Sequence, residues 1–74
     1  MWKTVSEAYA ACEVGQTASV RPANDGEDTL RRFQTEVEAA ARFQREGKIR
    51  IVMDHKERET GSDFTDLIMI ERIA

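Results

Sequence analysis

An α+β fold, with a short N-terminal helix, one long helix and a two- or three-stranded antiparallel sheet built on a C-terminal β-hairpin, follows from three features of this 74-residue sequence. A helix-capping pattern followed by helically spaced apolar residues opens the chain. A longer stretch between Gly26 and Gly47 repeats its apolar residues every three to four positions. Past Gly47 the period drops to two, as in a strand with one buried face. With 41% hydrophobic residues there is enough apolar material for a core, so residues 1–74 are read as one small folded domain.

The first helix starts from Thr4-x-x-Glu7, in which the hydroxyl can accept from the Glu7 amide and the carboxylate can reach back. Val5, Ala8, Tyr9 and Cys12 then follow at helical spacing, with Gly15 as a stop, which predicts a helix over about residues 5–14. The segment 16–21 ends at Pro22 and alternates weakly through Ala18 and Val20, which suits one short strand.

Asn24-Asp25-Gly26 is turn chemistry, and Asp25 can cap the long helix that runs to Glu46. Leu30, Phe33, Val37, Ala40 and Ala41 fall within about 100° of the helical wheel and form its buried stripe. The opposite face carries Arg31, Glu38, Arg42 and Arg45.

The hairpin is expected to join Lys48–Asp54 to Phe64–Ile73 through a two-residue turn at Thr60-Gly61. That register pairs Arg50 with Glu71, Ile51 with Ile70, Val52 with Met69, Met53 with Ile68, and His55 with Asp66. One face then holds Ile49, Ile51, Met53, Ile68 and Ile70 and should meet the long helix. The other carries Arg50, Asp54, Lys56 and Glu71 together with Val52, Leu67, Met69 and Ile73, an apolar group that a small domain leaves to water only for a reason. Cover by the N-terminal helix or by Trp2 is the ordinary reason, and an interface is the functional one.

Composition removes several functions. One cysteine excludes an internal disulfide and points to a reducing, cytoplasmic setting; with a single histidine it makes no common structural zinc site. The longest apolar run, Leu67–Ile70, is too short to span a membrane, and the N-terminal residues lead into no signal-peptide core. No phosphate-binding glycine loop, serine elbow or metal-ligand spacing occurs, so no cofactor or metal is expected, and no catalytic constellation can be assembled. The net charge of −3 offers no general attraction to nucleic acid, although residues 30–58 hold 8 basic against 5 acidic side chains.

The run Glu46-Gly47-Lys48-Ile49-Arg50-Ile51 and the hairpin after it resemble the helix-plus-wing half of winged-helix domains, over less than half of the chain. The resemblance implies a nucleic-acid surface made of Arg31, Arg42 and Arg45 on the long helix, with Lys56 and Arg58 at the hairpin tip meeting phosphate. Glu38 interrupts the helix face and Glu57 and Glu59 flank the tip, so a solvated charged surface is the stronger expectation. His55 is read as half of a surface pair, and Cys12 as a small buried hydrophobe. The sequence therefore points first to a non-catalytic binding or assembly module. It would work through Val52, Leu67, Met69 and Ile73 and the last strand, toward a protein partner or a second copy of itself. A nucleic-acid-binding regulator is the second expectation.

Overall fold

The computed structural model describes residues 2–74 and has the expected α+β architecture: α1 (Val5–Ala11), β1 (Thr17–Val20), α2 (Glu27–Arg45), β2 (Ile49–Lys56) and β3 (Thr65–Arg72). The three strands form one antiparallel sheet in the order β1-β3-β2. Among the described residues, no helix is long and apolar enough to cross a membrane.

Local chemistry sets the helix ends. The Thr4 hydroxyl oxygen accepts from the Glu7 amide at 3.1 Å, and the hydroxyl donates to the Glu7 carboxylate at 2.9 Å. The helix is shorter than the expected 5–14, because Cys12 turns into extended backbone and Gly15, at φ +91°, reverses the chain into β1. Asp25 does not cap α2. Gly26 is the N-cap and offers no side chain, while the Asn24 side-chain oxygen accepts from the Gly26 amide at 2.8 Å and shapes the turn. At the other end, Lys48 donates to Phe43 and Gly47 to Gln44, both at 3.0 Å, with Gly47 at φ +76°. This pair of hydrogen bonds around a left-handed residue closes α2 and aims the chain into β2.

The core lies between the two helices and one face of the sheet. Val5 and Ala8 of α1, Phe33 and Ala40 of α2, and Val20, Ile49, Ile68 and Ile70 of the sheet make a single buried cluster. Burying each large aliphatic side chain contributes about 1.5 to 3 kcal/mol relative to leaving it in water. Tyr9 and Phe43 meet edge to face at 5.5 Å where the helices approach. Arg72 closes that corner: its guanidinium lies over the Tyr9 ring at 4.3 Å and donates to the Tyr9 and Cys12 carbonyls at 3.2 and 2.8 Å, so it ties the C-terminal end of α1 to the end of β3.

The hairpin register holds at its base, slips by one residue between two irregularities, and is recovered where Lys56 faces Thr65. Arg50 faces Glu71 and Ile51 faces Ile70 as expected, but a bulge at Val52 then sets Met53 opposite Met69, Asp54 opposite Ile68 and His55 opposite Leu67. The expected pairs of Val52 with Met69 and Met53 with Ile68 do not form. One extra residue reverses the alternation, so Met53 leaves the core face and is 42% exposed. A second irregularity falls between His55 and Lys56, and the two-residue turn is replaced by a longer loop spanning residues 57–64.

The last strand has no edge with which to recruit a partner strand. β3 lies in the middle of the sheet with its backbone paired on both sides, so it offers no free edge. Of the two edge strands, β1 is short and is joined at Val20 by a parallel bridge from Trp2. On β2 the Gln44 side chain accepts from the Ile51 amide at 2.7 Å, which together with the bulge interrupts that edge.

Candidate functional site

Both helices lie on one side of the sheet, so the other side is open. Its residues follow from the pairing and form three rows across the strands. Thr17, Glu71 and Arg50 make the first row, Ser19, Met69 and the Val52–Met53 bulge the second, and Leu67 and His55 the third. Alternation past the buried Val20 carries Arg21 to the free end of that third row. Val52, Met53 and Ile73 are 44%, 42% and 47% exposed, and Leu67 and Met69 are half-buried by their neighbours in the sheet.

The face thus keeps Val52, Leu67 and Met69 and gains Met53, which the alternation of the sequence had assigned to the core; Ile73 lies past the end of β3, outside the three rows. The ordinary explanation, cover by the N-terminal helix, fails: Val5 and Ala8 of α1 pack into the core cluster on the α2 side. Trp2 lies beyond the β1 edge, 38% exposed, with its backbone tied to Ser19 and Arg21 at 3.1 and 2.9 Å. Two polar pairs bound the apolar band. Two nitrogens of Arg50 donate to one Glu71 oxygen at 2.7 and 3.0 Å, and His55 Nδ1 meets Asp66 Oδ1 at 2.7 Å.

The hairpin tip is organised by a residue that the sequence reading used only as a repulsive charge. The Glu57 carboxylate accepts from the Thr60 amide at 2.8 Å and from the Phe64 amide at 2.9 Å, so one side chain ties both ends of the loop. The Thr60 amide, with smaller contributions from the Thr60 hydroxyl and the Phe64 and Glu59 amides, holds the Glu57 carboxyl below its ordinary value, against the opposing effect of burial. The signal in the sequence was a carboxylate three residues before Thr60-Gly61, a spacing that lets it reach the turn amides.

The tip also lines a cavity of about 310 Å³ with His55, Lys56, Arg58, Asp25, Leu30 and Asp66 among its walls. Its ionised groups are of mixed sign and largely acidic. Among the described residues, no cluster of three or more histidine, cysteine or carboxylate side chains is placed to hold a metal ion.

The five basic residues named for nucleic acid divide into separate groups. Lys56 and Arg58 stand at the tip, near the N-terminal end of α2, where Asp25 lines the same cavity. Arg31 is at that end too, engaged by Glu27 at 3.4 Å and Asp28 at 3.7 Å. At 1.5 Å of rise per residue, Arg42 and Arg45 lie roughly 15 to 20 Å further along the helix.

No protein-family model matches the chain, and no curated protein and no solved structure matches it either.

Proposed function

We propose that this protein is a small non-catalytic binding or assembly module whose working surface is the open face of the sheet. One observation carries the reading: Val52, Met53, Leu67 and Met69 make a continuous apolar band on a face that both helices leave uncovered. A folded domain that exposes such a band, bounded by charged pairs, has the apolar centre and polar rim of a protein interface.

A nucleic-acid-binding regulator of winged-helix type remains the second reading, with less support. Its basic side chains fall into distant groups, and the group at the tip is surrounded by carboxylates that would repel phosphate at close range.

A photoreactive benzophenone side chain at Val52, compared with one at Thr35 on the solvent side of α2, tests the proposal in cells that express the protein. Adducts from Val52 and none from Thr35 are expected. Equal adducts from both positions, or none from Val52, would overturn it.

A further inference from the structure

Resting on the reading of the sheet face as the working surface, we infer that its partner is a second copy of this chain, packed face to face about a two-fold axis that lies across the strands near Met69. The face is self-complementary about that axis. The rotation places the Val52–Met53 bulge over its own copy and Met69 over Met69, and it exchanges the two outer rows. The row of Thr17, Glu71 and Arg50 then meets the partner copy's row of Arg21, Leu67 and His55. Glu71 comes within reach of a second-copy arginine at position 21, and Arg50 approaches the second copy's His55–Asp66 pair.

The alternative axis, along the strands, fails on the same residues. It would set Glu71 directly against Glu71, so that like charges oppose each other on the central strand. Strand-to-strand association is blocked separately, because β3 is central and the β2 edge is interrupted by the bulge and by Gln44.

The size of the face decides how tight such a dimer is. Eight residues of β3 at about 3.3 Å each and three strands at about 4.8 Å give roughly 26 by 14 Å, or on the order of 400 Å² per copy. Twice that lies below the roughly 1,000 Å² expected of a stable interface, so the dimer is weak and dissociates on dilution.

Sedimentation equilibrium from micromolar to millimolar protein tests the inference, with melting curves confirming that every variant is folded. The wild-type chain should move from 8.4 kDa toward twice that mass as concentration rises. Met69→Lys should weaken association at least tenfold. Glu71→Lys and Arg21→Glu should each weaken it alone, because each puts like charges together at both ends of the interface. An equal mixture of the two should recover it, because both charge contacts are then restored. A wild-type chain that stays monomeric at millimolar concentration would overturn the inference, and a mixture that fails to associate would overturn the axis. If the chain is monomeric while the Val52 position still gives adducts of another mass, the face reading survives and only the second copy is lost; no adduct at all removes both.

Discussion

The two faces of the sheet are made by the same strands and differ in what covers them. On β3, Ile68 and Ile70 are fully buried under the helices, while Leu67 and Met69, one residue away, face outward and are only half-covered. In β2 the bulge shifts the division toward the open side, since Val52 and Met53 are both exposed where regular alternation would have kept one of them inside. The inner face therefore carries the stability of the domain, and the outer face is free to carry something else.

Core truncations should separate the faces most sharply. Ile70→Ala and Phe33→Ala should each cost about 2 to 5 kcal/mol in urea unfolding, since both empty the centre of a core with few large side chains. In a domain of this size that is a large part of the total. A midpoint close to wild type for either variant would break the contrast between the faces.

Arg72→Ala should be the next largest effect, about 1 to 3 kcal/mol, because it removes two hydrogen bonds to the Tyr9 and Cys12 carbonyls and the stack on Tyr9. Arg72→Lys should recover only part of it, since an ammonium cannot stack and fork at once. Melting temperatures of the two variants check this.

Glu57 gives a pH-dependent effect. Its carboxyl titrates below the ordinary value of 4.5, so its contribution is complete above that pH and is lost as the pH falls through the lowered value. Glu57→Gln should lower the melting temperature at neutral pH and flatten the acid side of the stability profile. An unchanged acid limb would mean that other carboxylates govern it.

The smallest effect belongs to the open face. Met69→Lys should stay within about 0.5 kcal/mol of wild type as an unassociated chain, as expected for a surface position. A loss comparable to Ile70→Ala would mean that Met69 belongs to the core and would erase the distinction between the faces.

Much of the fold was legible in local patterns, because its signals lie close together in the chain. The Thr4–Glu7 cap, the stripe of Leu30, Phe33 and Ala40, the closing Gly47 and the pairs of Arg50 with Glu71 and Ile51 with Ile70 all follow from spacing. The bulge was not legible, since Ile49, Ile51 and Met53 alternate as a regular strand would and the extra residue shows only in the pairing with β3. The central place of β3 and the clasp of Arg72 on α1 depend on the same long-range packing. Of the candidate site, the apolar residues of the outer face were read from their parity; Met53, Arg21 and the loop-organising Glu57 required the three-dimensional arrangement.

The order β1-β3-β2 has a consequence for how the domain assembles. Every strand pairing in the sheet runs through β3, which follows both of its neighbours in the chain. The hairpin closes locally, whereas β1 pairs with a partner that joins Thr17 to Glu71 across most of the sequence, so its pairing carries the larger loop-closure cost. Amide protons that bond β1 to β3 should accordingly exchange with solvent before those between β2 and β3. A chain ended before Thr65 would keep two strands with nothing between them.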